Sequence, residues 1–368
     1  MALSFRKIVC HTLGTNFRQC TKIVSAELGP KPAPGSVYVR NTICGINASD
    51  VNYTNGVYTP GVQPPFDTGF EAVGHVIACG EGVTRVKPGD NVVYSAFGSF
   101  SEVMAVDARG AIAIPEAVPA ALSLVVSGLT ASIALEQAGE LSGKETVLVT
   151  AAAGATGSYA VQLAKLAGCH VVGTCSSDDK VEALKKLGCD RPINYRKEDL
   201  FRTLRQEYPD GVDVVYESVG GEVFEAAVNN LAVKGKLIVI GAMSGYTDGS
   251  AWAGVGGKGG KSSRPVATKL LAKSASLRGF FLNHYAKQWG PHMKLLLGHI
   301  AADKISPLID PSKFVGLEQV CLTMHVCAFV SPCLSARLLH QVHHCGAIAC
   351  LVVQKWQKCS ISNPFSVT

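Results

Sequence analysis

The clearest chemical signal in this sequence lies where a strand pattern gives way to a helix pattern. Residues 150–157 read Thr-Ala-Ala-Ala-Gly-Ala-Thr-Gly at that junction. A pyrophosphate needs backbone N–H donors at close range and the positive end of a helix dipole. Gly154 would let the backbone approach the phosphates and Gly157 would let the helix pack closely, although Ala152 replaces the usual first glycine. We predict a dinucleotide site of variant form.

The end of the next strand indicates which dinucleotide binds. An NAD site places a carboxylate there to hold the ribose 2′-hydroxyl. This strand ends in Ser176 and Ser177, which accept a 2′-phosphate without repulsion. Lys180 follows as a counter-charge or, alternatively, as an ordinary solvated lysine. Asp178 and Asp179 are interpreted as acids in the first turn of the next helix, where the helix dipole favours them. We therefore expect NADPH.

Two contrasting sequence patterns predict the elements that position these residues. The first part of the chain has short alternating strands with Gly/Pro turns, whereas strands and helices alternate from about residue 145 onwards. The prediction is an α/β protein in which a β-rich domain accompanies a doubly wound parallel sheet of the Rossmann type. The predicted bounds are 1–125 for the β-rich domain, 126–283 for the Rossmann domain, 284–320 for a return to the first domain and 321–368 for an atypical tail.

The composition narrows the possible partners. The chain has 368 residues, a formal net charge of +6 and only 17% charged residues, and its basic residues are scattered. This argues against a nucleic-acid partner and suits a small molecule. We expect no membrane span, because no stretch reaches the length of uncharged apolar residues that spanning requires. The 13 cysteines include no CxxC pair, which favours a reduced, intracellular protein.

Several runs carry a family resemblance. A β-rich first half, followed by Ser-Gly-Leu-Thr-Ala at 127–131 and by the glycine run, resembles the medium-chain dehydrogenase/reductase superfamily. Within it the chain is similar to the zinc-free quinone-oxidoreductase branch, and most similar to members that reduce 15-oxo-prostaglandins. The closer similarity is carried by residues 173–177, 189–195, 214–221 and 279–285. The resemblance covers about residues 5 to 320.

The resemblance implies a GroES-like catalytic domain packed on a Rossmann domain, with the active site in the cleft between them. It also implies that Thr130 lies near the nicotinamide. Together with the glycines above, the implied cofactor contacts are Thr130, Gly154, Thr156, Gly157, Ser176, Lys180, Tyr195, Ser218, Ile240, Tyr246, Phe281, Leu282 and Asn283.

The residues at the family's metal-binding positions argue against zinc. Zinc-dependent relatives carry a cysteine and a histidine where this chain has Asn47 and Phe70. Phenylalanine cannot ligate a metal and neutral asparagine is a poor zinc ligand. The four-cysteine structural lobe is also missing, because residues 94–102 contain no cysteine. The histidines and cysteine at 340–345 match no familiar zinc spacing, so we predict no metal site.

The absent ligands restrict the reaction. Without a Lewis acid an unactivated carbonyl is hard to reduce, whereas a conjugated ketone needs only donors aimed at the developing enolate oxygen. Our hypothesis is NADPH-dependent reduction of the activated double bond of α,β-unsaturated ketones. The resemblance implies 15-oxo-prostaglandins, reduced at the 13,14 double bond. Quinone reduction and an NADPH-binding protein with little turnover remain alternatives, and a homodimer is possible.

Three polar residues are candidate catalytic donors. Asn47 occupies the lost ligand position, and Asn52 or Tyr53 would orient the substrate oxygen, with a register that is ambiguous by one residue. Tyr246 is a further candidate. The alternative for each is an ordinary loop residue bonded to backbone, with a ribose hydroxyl of the cofactor as the main donor.

Two segments depart from the pattern. Residues 245–265 form a glycine-rich loop, either a lid or an excursion. From Cys321 onward the chain has no Asp or Glu, and the family's closing strand is not recognisable. We expect a poorly packed tail and an exposed sheet edge. Some relatives end in Ser-Lys-Leu, a peroxisomal address, whereas this chain ends in Ser-Val-Thr. The expected location is therefore the cytoplasm, with the peroxisome as the address of similar proteins.

Overall fold

The structure is a computed structural model that describes residues 2–246, 265–309 and 314–321, and the backbone of Cys350–Val353. The predicted glycine-rich loop lies outside the described residues at positions 247–264, as does most of the tail. Two groups of sheets confirm the predicted α/β class, one group antiparallel and one parallel.

The first part of the chain forms the antiparallel group. Its strands are β1 (Leu3–Cys10), β2 (Thr21–Leu28), β3 (Ser36–Ile46), β4 (Phe66–Asp67), β5 (Glu71–Cys79), β6 (Asn91–Ser95), β7 (Val103–Asp107) and β8 (Ile112–Ala113). One sheet has the order β2-β1-β4, and in the other β3 pairs with β5 and β7. Two short helices, α1 (Phe17–Cys20) and α2 (Asp50–Thr54), connect these strands. We call this unit the GroES-like domain.

The parallel sheet has the doubly wound order β11-β10-β9-β12-β13-β14. Its strands are β9 (Thr146–Val149), β10 (His170–Cys175), β11 (Arg191–Asn194), β12 (Val212–Glu217), β13 (Leu231–Val239) and β14 (Ser276–Gly279). The central strand β9 is almost entirely apolar because helices cover both faces of such a sheet. Its helices are α5 (Ala155–Leu166), α6 (Asp178–Lys186), α7 (Leu200–Glu207), α8 (Gly221–Asn229), α9 (Val266–Lys273) and α10 (Trp289–Ala301).

One long helix joins the two units. Pro119–Gly139 consists of α3 (Pro119–Ser123) and α4 (Leu129–Ala134), each followed by a π-helical turn. Among the described residues this is the one helix long and apolar enough to cross a membrane, and 72% of its apolar window is buried. Its side chains belong to a core that also contains residues of both sheets, which is the position of a core helix.

The end of the described chain returns to the GroES-like domain. Leu317 and Val320 are fully buried in the core of its sheets, and Glu318 pairs with Arg6 at 2.7 Å. The four domain bounds drawn from the sequence stay a prediction, because packing alone does not fix them.

The tail supplies a strand that the sequence analysis did not expect. Residues Cys350–Val353 form β15, which pairs antiparallel with the second half of β3, Cys350 opposite Ile46. The expectation that this edge stays open is therefore wrong for this stretch. The physical reason is that an antiparallel edge needs backbone donors and acceptors and a strand-forming segment, and Cys-Leu-Val-Val is such a segment although it differs from the family pattern.

Candidate functional site

The phosphate loop is shaped by backbone packing. Ala151, which begins it, has a positive φ of 45°. A Cβ on Gly157 would lie 2.4 Å from the Ala151 carbonyl oxygen, so only glycine lets α5 approach the loop this closely. Ala152 is fully buried and donates its N–H to the Thr174 carbonyl at 2.8 Å. The loop is therefore anchored to β10. Helix α5 begins directly after Gly154, so its N-terminus lies at the loop.

Thr156 is held by a residue that the sequence analysis missed. Its Oγ1 lies 2.5 Å from the hydroxyl of Tyr216 and 3.3 Å from the Ser127 carbonyl oxygen, to which it donates. Tyr216 is fully buried, and burial raises the pKa of its phenol. A tyrosine in a buried strand needs a partner for its hydroxyl, and this was the available signal.

The strand end that predicted NADPH has the expected chemistry. Lys180 donates from Nζ to Ser176 Oγ at 3.2 Å, so a hydroxyl and an ammonium group lie together. Asp178 accepts from Asn194 Nδ2 at 2.9 Å and pairs with Lys197, and these contacts lower the pKa of its carboxyl. Asp178 lies in the first turn of α6 and is bonded to Asn194 and Lys197, which agrees with its interpretation as a helix-terminal acid.

The remaining predicted cofactor residues follow the carboxyl ends of the neighbouring parallel strands. Tyr195, Ser218, Ile240 and the Phe281–Asn283 stretch come after β11, β12, β13 and β14 respectively. The carboxyl ends of parallel strands share one edge of the sheet, the same edge that carries the phosphate loop. Tyr246 is buried there and accepts from the Ala242 N–H at 3.2 Å.

The predicted cofactor residues differ from one another in accessibility. Thr130 lies in α4 and is only 9% exposed, whereas Asn283 is exposed and Phe281 is 39% exposed. Leu282 is fixed by its carbonyl, which accepts from Trp289 Nε1 at 3.2 Å. The structure therefore brings Phe281 to an accessible position and leaves Thr130 almost covered by the helices around it.

Asn47 lies in a corner built from two buried carboxylates. Its side-chain Nδ2 donates to Glu71 Oε1 at 3.0 Å, and its backbone N–H donates to Asp50 Oδ2 at 2.8 Å. The second oxygen of Glu71 accepts from the Val126 N–H at 2.9 Å. Burial raises the pKa of Glu71 to about 7 against the opposing effect of its two donors, and it raises the pKa of Asp50 as well. We call this group the Asn47 corner.

The other two donor candidates separate at α2. Asn52 is fully buried and is hydrogen-bonded to Tyr58, which also bonds to Tyr246 of the opposite domain. Tyr53 instead packs among aromatic rings, stacked on Phe97 at 4.5 Å between centroids. On this helix, the polar contact towards the opposite domain is therefore made by Asn52 through Tyr58. Tyr58 was not among the candidates selected from the sequence.

An aromatic cluster extends from the GroES-like domain to the parallel-sheet domain. Neighbouring centroids lie 4.5 to 6.4 Å apart. Phe97 is 45% exposed at one end and Phe281 is 39% exposed at the other, so both ends are accessible. The cluster consists of Phe66, Tyr53, Phe97, Phe70, Tyr58 and Phe281. Such a surface suits a flat or apolar ligand.

Comparison with known proteins agrees with this geometry. Residues 33–116 match the alcohol dehydrogenase GroES-like domain, and residues 155–297 match a family described as zinc-binding dehydrogenase. The chain is 49% identical over 324 residues to prostaglandin reductase-3 of Mus musculus, covering 86% of this chain and 84% of that protein. The chain belongs to the medium-chain dehydrogenase/reductase family.

Other medium-chain relatives match over most of their length. The chain is 44% identical over 318 residues to a probable quinone oxidoreductase of Leishmania amazonensis, covering 86% of this chain and 92% of that protein. The solved quinone oxidoreductase of Escherichia coli, complexed with NADPH, superimposes with a TM-score of 0.77 at 26% identity. It covers 95% of this chain and 99% of that structure. The predicted family and fold are confirmed.

The metal that the family description names does not fit this medium-chain reductase. At the two ligand positions, the carboxamide of Asn47 is bonded to Glu71, and the ring of Phe70 lies 5.4 Å from that of Phe97. Within the described residues, no group of three or more His, Cys, Asp or Glu side chains is placed to hold a metal ion. The donor set thus lacks the thiolate and imidazole ligands that zinc prefers.

Proposed function

We propose that this medium-chain reductase catalyses NADPH-dependent, zinc-independent reduction of the activated double bond of α,β-unsaturated ketones, with 15-oxo-prostaglandins as the substrate class. One observation carries the proposal. Two adjacent residues, Val126 and Ser127, contact Glu71 of the Asn47 corner and Thr156 of the phosphate loop respectively. A polar donor corner and a dinucleotide loop are therefore joined by a single turn of helix.

Each part of the site has a role in such a reaction. NADPH, when bound, would supply a hydride to the β-carbon of the substrate, and a proton from solvent would complete the reduction at the α-carbon. The loop at Gly154 and Gly157 binds the pyrophosphate, and Ser176 with Lys180 holds the 2′-phosphate. Asn47 donates from Nδ2 to the ketone oxygen, where negative charge develops.

The apolar part of the substrate has a matching surface. Aromatic rings at Tyr53, Phe70 and Phe97 would contact a hydrocarbon chain and exclude water from the reacting atoms. The Tyr58 hydroxyl, already bonded to Asn52 and Tyr246, adds a polar group at the domain boundary. The name of the mouse relative, prostaglandin reductase-3, supports a lipid enone as the substrate.

Quinone reduction is the second candidate. The observation that favours it is the nearly parallel stack of Tyr53 on Phe97, with an interplanar angle of 15°, next to an exposed ring face onto which a flat quinone can stack. Relatives with quinone oxidoreductase in their names support this alternative.

An NADPH-oxidation assay against a 15-oxo-prostaglandin, a short enone and a quinone separates these candidates. We expect Asn47→Ala to lower kcat/KM for the enone on the order of 10- to 100-fold, the usual effect of losing one donor to a developing oxyanion. Asn91→Ala is the control, because Asn91 is bonded to Pro115 and pairs with His75, at the other end of the β5–β6 ladder from Glu71. Unchanged kcat/KM in Asn47→Ala would remove the assignment. NADPH fluorescence enhancement without oxidation of any substrate would instead indicate a binding protein with little turnover.

Location and assembly also belong to the proposal. We expect a cytoplasmic enzyme that can assemble as a homodimer, with the peroxisome as the address of similar proteins.

A further inference from the structure

We infer that Glu71 is a positioning residue that fixes which end of the Asn47 carboxamide faces the cleft. The inference rests on the proposed function, because it concerns the donor assigned there. It adds a residue that acts through Asn47 and that the comparisons do not assign.

The hydrogen bonds of Glu71 leave one orientation for the amide. At a pH above its pKa, Glu71 is a carboxylate that only accepts hydrogen bonds, so the atom of Asn47 that lies 3.0 Å from Oε1 is then the nitrogen. That nitrogen carries two hydrogens, and a planar amide directs them apart. One is bound by Glu71, and the other is directed away from the carboxylate as a donor. If the amide were reversed, two oxygens would face each other in a buried site.

The backbone of Asn47 is held as firmly as its side chain. Asp50 Oδ2 accepts the Asn47 N–H at 2.8 Å, so carboxylates bind the residue at both ends. Glu71 is only 4% exposed, and its Oε2 is used by the Val126 N–H. A charge-assisted hydrogen bond in such a buried position is stronger than one in water. The carboxamide therefore has little freedom to rotate.

Gly45 keeps the space that this arrangement needs. A Cβ on Gly45 would lie 2.2 Å from Glu71 Oε1 and within 2.7 Å of two further atoms of the same side chain. Any larger residue in this part of β3 would displace the carboxylate from Asn47. Gly45 thus leaves room for the carboxylate that orients the Asn47 amide.

A purely structural role is the competing explanation, because Glu71 also ties β5 to the long helix through Val126. Glutamine separates the two roles. The Glu71→Gln side chain has nearly the same size but one acceptor and one NH₂ group, so it satisfies only one of the two N–H donors. If Glu71 acts through Asn47, replacing Glu71 changes turnover only in a protein that still has Asn47, because only there can the amide take a wrong orientation.

A double-mutant cycle tests this at about pH 8, where a carboxyl with a pKa of about 7 is ionised. We expect Glu71→Gln to lower kcat for the enone at least about tenfold. In the Asn47→Ala background the same change should alter kcat by less than about twofold. Glu102→Gln is the matched control, since Glu102 binds Arg6 in the same domain, and its effect should combine multiplicatively with Asn47→Ala. Independent, multiplicative losses for Glu71→Gln would overturn the inference.

A second measurement does not depend on turnover. With asparagine labelled isotopically at its side-chain nitrogen, the Asn47 amide signal is assigned by its loss in Asn47→Ala. We expect one strongly hydrogen-bonded proton in the wild type and in Glu102→Gln, and its loss in Glu71→Gln. An Asn47 signal that does not respond to Glu71→Gln would overturn the inference even if the enzyme is active. If the wild type reduces none of the substrates, the proposed function fails, and the amide signal still decides the orientation.

Discussion

The phosphate loop and the Asn47 corner position their groups by different means. The loop uses small residues and backbone, where Gly157 admits the helix and Ala152 bonds to the neighbouring strand. The corner uses buried side chains contributed by separate elements, since Asn47 follows β3, Glu71 begins β5 and Val126 lies in the long helix. A cofactor loop built from backbone tolerates little steric change, whereas a corner built from carboxylates is sensitive to charge.

The largest expected effect is steric and falls on the loop. Gly157→Ala places a Cβ 2.4 Å from a backbone oxygen, so the loop or helix has to shift. We expect the NADPH dissociation constant to rise on the order of 100-fold, about 3 kcal/mol. Gly298→Ala in α10 is the control, because nothing lies within 4 Å of the added atom. Fluorescence titration measures both, and equal affinities would show that the loop is less constrained than its packing indicates.

The next effect is electrostatic and falls on the corner. The pKa of Glu71 is about 7 in the folded protein because of burial and near 4.5 when unfolded. The folded state therefore binds more protons between these values, and the free energy of unfolding falls as pH rises from about 5 to about 7, by up to about 3 kcal/mol from this group. The free energy of unfolding, measured with urea at several pH values, should fall less steeply with pH in Glu71→Gln. The slope that remains comes from Asp50. Glu102→Gln should keep the wild-type slope, and an identical slope in Glu71→Gln would contradict the prediction.

A smaller effect tests whether charge also matters at the strand end that is predicted to hold the 2′-phosphate. Lys180→Ala removes the ammonium group that lies beside Ser176, and a hydrogen bond to a charged group contributes roughly 1.5–3 kcal/mol. NADPH affinity should fall at least about tenfold, while NADH affinity should change little. Lys185→Ala, on the same helix and paired with Glu182, provides the comparison. Equal losses for both cofactors would mean that Lys180 does not contact the 2′-phosphate.

The smallest expected effect concerns the aromatic cluster. Phe97→Ala removes a half-exposed ring stacked on Tyr53, and we expect KM for a long-chain enone to rise about fivefold, about 1 kcal/mol. KM for a short enone should stay near the wild-type value. Phe201 on α7 has a similar exposure, 41%, and its replacement by alanine is the control. A uniform change for long and short substrates would indicate a structural role for Phe97.

Sequence reasoning anticipated the local geometry of the loop better than the contacts of the corner, and the cofactor roles of the loop residues stay predictions. Gly154, Gly157, Ser176 and Lys180 follow from local pattern, because a strand-to-helix turn fixes its own geometry within a few residues. Glu71, Tyr58 and Tyr216 were missed, since their partners are distant in sequence and only the folded chain shows the contacts. The strand at Cys350–Val353 was missed for a related reason, because the pairing of an edge strand depends on which backbone groups are open.

The ion pair between Arg6 and Glu318 also bears on the order of folding. Its partners are 312 residues apart, and Leu317 and Val320 complete the core of the domain that opens the chain. During synthesis the GroES-like strands emerge first but keep part of their apolar surface open until the rest of the chain has emerged. The intervening parallel sheet is built from one contiguous segment and can form meanwhile. Completion of the first domain is therefore a late event, because it requires contacts over nearly the whole chain. Until then, exposed apolar surface favours aggregation.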